Sequence, residues 1–108
     1  MEYIKTHLGF STADANQVSL QYENGDLILS FVDWQEQCQS ARFENAIAFR
    51  WQDPGLSAPR EDETFEVVGS PWLEEQTRFQ GVLSSEYAHY VLCFNACGTL
   101  DVVARRLP

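Results

Sequence analysis

In the segment EYAHYVLCFNACGTLDVVA, His89, Cys93 and Cys97 recur every fourth residue. An imidazole and two thiols could hold zinc, or the imidazole could act as base for a cysteine nucleophile. Both chemistries depend on the backbone that carries them. On a helix the three side chains would share a face. On a strand, residues four apart are separated by about 13 Å. Zinc needs its ligand atoms within about 2.0–2.3 Å, and a general base needs a contact of about 3 Å. The surrounding Tyr90, Val91, Leu92 and Phe94 favour a strand, and Gly98 ends it. The expectation is therefore no metal and no catalytic pair: Cys93 is a buried small hydrophobe. His89 is a hydrogen-bonded core histidine rather than a ligand. No spacing relation ties His7 or Cys38 to these residues.

Other candidates are weaker. Glu61, Asp62, Glu63 and Glu66 form an acidic stretch, but the alternating oxygen ligands and central glycine of a calcium loop are missing. A solvated loop is the default for it, and contact with a basic protein partner is the functional alternative. Glu74 and Glu75 are adjacent on an expected helix, so they point apart and make a poor acid/base pair. No phosphate loop, dinucleotide fingerprint or nucleophile elbow occurs, and no cofactor is implied. Trp72 reads as a staple between helix and sheet, with an exposed binding anchor as the alternative.

The elements that must position these residues are mostly strands. In VSLQYENGDLILSF, Asn24-Gly25 is the preferred pair for a tight hairpin turn. Closing it sets Tyr22 opposite Leu27, Leu20 opposite Leu29 and Val18 opposite Phe31. The polar residues fall on the other face, so the register is well specified. WQEQCQS reads as a turn or irregular link, and ARFENAIAFRWQ as one half-buried strand with Phe43, Ile47, Phe49 and Trp51 on one side. DPGLSAPREDE is a long loop, and TFEVVG a short strand. SPWLEEQTRFQG is the one helix, with Ser70 as cap, Pro71 at its first position and Gly81 as its stop. Trp72 or Leu73, with Gln76 and Phe79, would face the sheet. YAHYVLCFNA and LDVVARR form a closing hairpin about Cys97, Gly98 and Thr99. Its first strand carries bulky residues on both faces, as a central strand does.

A chain of 108 residues, 44% hydrophobic and 13% aromatic, has the composition of one folded domain rather than a disordered tail. Residues 1–108 are read as that domain, with residues 1–16 as a loosely ordered N-terminal segment. The apolar runs fall short of the roughly 18 residues that a membrane span requires. The opening MEYIKTHLGFSTADANQ has no apolar core of a secretory leader. Three cysteines suit a reducing compartment, so a cytoplasmic location is expected. Seven basic residues against sixteen acidic ones give a net charge of −9. That field repels nucleic acid and anionic membranes and favours a basic partner or a metal ion, or serves solubility alone.

The stretches NGDLILSFVDW, FENAIAFRW, SPWLEEQ and EYAHYVLCFNACGTLDVVA together resemble a group of short, uncharacterised bacterial proteins. More loosely, they resemble the small acidic immunity proteins that accompany bacterial polymorphic toxins. The resemblance spans Leu20 to Ala104 and implies a binding protein without catalytic residues. The fold reading is mainly β, at the border of α+β: a curved antiparallel sheet of about six strands, either in two layers with one short helix or as a partly closed barrel. Three functions fit. The first is an acidic protein-binding domain, with masking of a basic toxin as its specific form. The second is an assembly module acting as a homo-oligomer, and the third a small enzyme using His89 with a carboxylate from another strand.

Overall fold

The Asn24-Gly25 turn forms as its sequence requires, with φ of 52° and 84° at the two residues. It joins β2 (Asn16–Glu23) to β3 (Asp26–Val32), with Tyr22 opposite Leu27 and Leu20 opposite Leu29. The expected Val18–Phe31 pairing is displaced, because the register shifts between Asn16 and Ser19 where Gln17 has φ 52°. Such a bulge is common in an edge strand. The like-charged Glu23 and Asp26 sit opposite each other because Asp26 has better partners. Its carboxylate accepts from Arg42 Nη1 at 2.8 Å and from the Asn45 N–H at 3.1 Å. These bonds, that from Arg42 foremost, hold Asp26 below the usual carboxylate range. The computed structural model describes residues 1–53, 63–94 and 97–107.

After β3 the chain turns on Asp33. Its carboxylate accepts from the N–H groups of Gln35 and Gln37 at 2.9 and 2.8 Å and from Gln39 Nε2 at 3.0 Å. Only the first part of WQEQCQS is turn; Cys38 already opens β4 (Cys38–Phe43), which pairs with β3. The expected single strand ARFENAIAFRWQ is in fact two. β4 ends at Phe43, Asn45 takes φ 47°, and β5 (Ala48–Gln52) pairs with a C-terminal strand in a different sheet. Alternation has the same period in both strands, so it carries no sign of the change of sheet. Ile47 accordingly leaves the side of Phe49 and Trp51 and packs with Leu73 and Val103.

The second sheet has five antiparallel strands in the order β1-β6-β7-β8-β5. Its members besides β5 are β1 (Glu2–Lys5), β6 (Thr64–Val68), β7 (Tyr87–Phe94) and β8 (Gly98–Arg105). Part of residues 1–16, read as a loosely ordered segment, joins the sheet. Glu2–Lys5 form an edge strand on β6, the Thr6 N–H bonds the Thr64 carbonyl at 2.9 Å, and Phe10 meets Phe31 edge-on. β7 is buried at every position, as a central strand with bulky residues on both faces should be. Ala88, Tyr90, Leu92 and Phe94 pack against Leu27, Leu29, Phe31 and Phe43 of the three-stranded sheet. The fold is mainly β with one short helix. The single sheet of about six strands is corrected to two open sheets of five and three, with no closed barrel among the described residues.

The helix α1 (Pro71–Gln80) begins and ends where its caps dictate. Ser70 Oγ accepts from the Leu73 N–H at 3.1 Å, and Gly81 closes the helix at φ 70°. Its buried face is Leu73 and Thr77, one turn apart, with Trp72 half-buried beside them. Phe79, expected on that face, is 83% exposed. It lies two residues past Thr77, about 200° around the helix. At the other hairpin, Gly98 has φ 148°, and a Cβ there would stand 2.5 Å from the Gln52 carbonyl oxygen and 2.6 Å from the Trp51 ring. Backbone and β5 leave no space for a side chain. Gly98→Ala is expected to destabilise the protein by more than about 2 kcal/mol, read from the urea midpoint. A variant as stable as the parent would show that β5 can move aside.

Candidate functional site

His89 stands on the helix-facing side of β7, in the strand buried on both faces. An imidazole there must find hydrogen-bond partners within the protein. Two elements supply them. His89 Nδ1 lies 2.7 Å from Ser70 Oγ, and Nε2 lies 2.7 Å from Asp101 Oδ1 on β8. Asp101 is a diagonal neighbour of His89 across the ladder, since Val91 pairs with Asp101 and His89 with Val103. A carboxylate only accepts, so Nε2 carries the proton given to Asp101; in the neutral imidazole Nδ1 then accepts from the Ser70 hydroxyl. Ser70 Oγ in turn accepts from the Leu73 N–H as the helix cap. Every step of this chain has a donor and an acceptor.

The chain is extended at the sheet edge. Arg50 Nε on β5 lies 3.5 Å from Asp101 Oδ2, and its guanidinium stacks 4.4 Å from the centre of the Trp72 ring. Trp72 meets the His89 ring edge-on at 5.0 Å, so it is the staple between helix and sheet. On β1, burial and then the Asp101 carboxylate push the Tyr3 phenol up, with Arg50 opposing.

Serine, histidine and aspartate in hydrogen-bonded series invite comparison with a nucleophilic triad. Geometry sets this one apart. Ser70 is 1% exposed, His89 3% and Asp101 6%, so a substrate carbonyl has no route to the serine oxygen. The Leu73 N–H also engages one lone pair of Ser70 Oγ. The array can fasten a helix to a sheet; it has no open position for chemistry.

The other residues singled out by sequence are dispersed. Cys93 packs with Phe65, Val67 and Val91. Cys97 places its Sγ 3.4 Å from the Ala15 carbonyl oxygen, and Cys38 is exposed on β4. Among the described residues, no three His, Cys, Asp or Glu side chains gather as a metal site would require. Of the acidic stretch, Glu61 and Asp62 lie outside the described residues. Glu63 faces Lys5 at 3.9 Å, and Glu66, on β6, is held by Arg106 at 2.8 Å. Glu66 is therefore already committed to a cation.

Sequence reasoning missed Asp101 and the second role of Ser70. A signal for Asp101 was present: it is the one charge inside the apolar run from Leu100 to Ala104, where a buried acid needs a partner. No family model matches the chain, and neither a curated protein nor a solved structure matches it.

Two outcomes test this site. Ser70→Ala should cost about 1–3 kcal/mol and Asp101→Ala about 3–5 kcal/mol. The double variant should cost less than their sum, because both act through His89. Strict additivity in urea denaturation would separate the cap from the His89–Asp101 pair. In native-state thiol labelling, Cys38 should react first and Cys93 only as the protein opens. Rapid labelling of Cys93 would contradict its burial.

Proposed function

We propose that this protein is a non-catalytic, acidic binding domain that masks a basic protein partner, in the manner of the immunity proteins its sequence loosely resembles. One observation carries the reading. Of the six described cations, five already lie within 4.0 Å of a carboxylate: Lys5, Arg42, Arg50, Arg105 and Arg106. Only Arg78 has no ion-pair partner among the described residues. Glu2, Asp14, Glu23, Glu36, Glu44 and Glu75 are without one on the acidic side. The excess of −9 is thus presented outward as uncompensated carboxylate, over a scaffold whose polar interior is closed.

A sealed Ser70–His89–Asp101 array gives the enzyme reading no support. Self-association would set −9 against −9, a repulsion that an added basic partner removes. Steering by such a field raises association rates, and salt weakens it. Glu61, Asp62 and Glu63 remain the proposed steering contact, while Glu66 stays with Arg106. The expectation is that a partner captured from the native host associates at least tenfold more slowly at about 500 mM salt than at about 50 mM. Reversing Glu61, Asp62 and Glu63 to lysine should slow association with Tm nearly unchanged, since an exposed Lys5–Glu63 pair contributes about 0–1 kcal/mol. Association indifferent to both salt and charge reversal would sink the electrostatic reading.

A further inference from the structure

The N-terminal segment and the start of β6 frame an open cavity of about 560 Å³, apart from the helix–sheet clamp. Its lining includes Lys5, Thr6, Ser11, Thr12, Glu63 and Thr64. The volume lies within the roughly 300–1,000 Å³ typical of small-molecule sites. Both lining segments are tied down. The Thr6 N–H bonds the Thr64 carbonyl at 2.9 Å, and Thr64 Oγ1 donates to the Thr6 carbonyl. Further along, the Ala13 N–H bonds Ser11 Oγ at 3.1 Å, and the Ala15 N–H bonds the Thr12 carbonyl at 3.3 Å. Binding here orders little backbone.

Thr12 points to a guest. It is 1% exposed, and its hydroxyl has no hydrogen-bond partner among the described residues. It is the one buried side-chain oxygen or nitrogen left so among them. Burying a hydroxyl with nothing to bond costs stability. Valine has nearly the same shape and would avoid that cost, so the fold alone gives no reason for threonine here. A ligand held in the cavity gives one.

The lining selects by hydrogen-bond type. Hydroxyls donate and accept alike, as does the neutral imidazole of His7, which lines the same cavity. Ser11 Oγ accepts from a backbone N–H and keeps its proton to give; Thr64 Oγ1 gives its proton and keeps lone pairs. A matching ligand carries groups that also do both. Charge does not select an ion, because Lys5 Nζ lies 3.9 Å from the Glu63 carboxylate and the two signs offset. An anion would meet Glu63 and a net charge of −9, and a cation would meet Lys5. Phe10 and Ala13 add apolar wall for C–H groups. We propose that this cavity binds a neutral polyhydroxylated ligand, a mono- or disaccharide, with the Thr12 hydroxyl as one of its hydrogen-bond partners. Such a site goes beyond the basic-partner reading and stands without it.

The test is ligand-detected NMR on the full-chain protein with glucose, galactose, mannose, N-acetylglucosamine and maltose, followed by titration. At least one sugar should bind saturably. Thr12→Val should weaken it roughly fivefold to tenfold, the share of one neutral hydrogen bond. Its Tm should hold or rise, because an unpartnered hydroxyl has gone. Ala13→Trp fills the cavity and should abolish binding, with Tm showing that the variant is folded; if it is not, Thr12→Val decides alone. Sugar binding indifferent to the variants would lie elsewhere and overturn the site. Saturable binding of acetate, phosphate or ammonium, with no sugar bound, would overturn the ligand class. A Tm lowered by Thr12→Val would show the hydroxyl already satisfied inside the folded protein, which removes its reason to recognise a guest. No saturable sugar binding up to about 50 mM, beyond any millimolar site, would overturn the proposal outright.

Discussion

A strand buried on both faces cannot tolerate an unpartnered polar side chain, and β7 carries His89 at its middle. Leaving one buried hydrogen-bonding group unsatisfied costs about 1–3 kcal/mol, a sizeable part of a small domain's stability. The imidazole has two nitrogens, and they face opposite tasks. One binds Asp101 on the neighbouring strand, which secures the β7–β8 side of the sheet. The other binds Ser70, which is also the first residue of the helix cap. The helix can therefore begin in only one place over the sheet. Apolar burial of Leu73, Tyr87 and Val103 draws it down, but such contacts are non-directional. The hydrogen bonds supply the direction.

The same constraint organises charge. Asp101 is 6% exposed, and a buried carboxylate is costly unless it is paired and hydrogen-bonded. His89 satisfies one oxygen and Arg50 approaches the other, with Trp72 beneath the guanidinium. Arg50 is nearly half-exposed, so its head reaches solvent while its charge still faces the acid. Four elements, β5, β7, β8 and α1, thus meet at one acid. The opposite face of the five-stranded sheet needs no such device. There Leu92, Phe94, Leu100 and Val102 meet Leu29 and Phe31, and apolar packing predominates.

Local features were legible in the sequence because local physics decides them. Asn24-Gly25 specifies positive φ at both positions, and Ser70, Pro71 and Gly81 specify a helix from cap to cap. β7 was recognisable by bulky residues on both faces. What remained hidden was the partner of each element. From Ala41 to Gln52 the apolar parity of Phe43, Ile47, Phe49 and Trp51 is interrupted only at Asn45, yet there the chain turns a corner and changes sheets. β1 is only Glu2–Lys5, exposed throughout, too short and polar to show a burial pattern. At the site, His89 and Cys93 were separable by strand geometry, whereas the Ser70–His89–Asp101 series depends on a contact 19 residues back and another 12 residues on. Phe79 misled for a related reason: period alone places it with Trp72, but the sheet meets only one end of that face.

The distribution of the few cations connects stability to function. A net charge of −9 opposes the compact state through self-repulsion, most seriously where chain ends are poorly held. Lys5, Arg105 and Arg106 sit near the two ends, and each faces a carboxylate from elsewhere in the chain: Glu63, Glu86 and Glu66. Exposed pairs of this kind contribute little each, but they act where fraying would begin. Arg42 holds the hairpin through Asp26, and Arg50 holds the helix–sheet clamp through Asp101. With its cations bound at ends, hairpin and clamp, the molecule keeps few for the rest of its surface. Under the proposed binding reading, such a surface draws a basic partner from a distance.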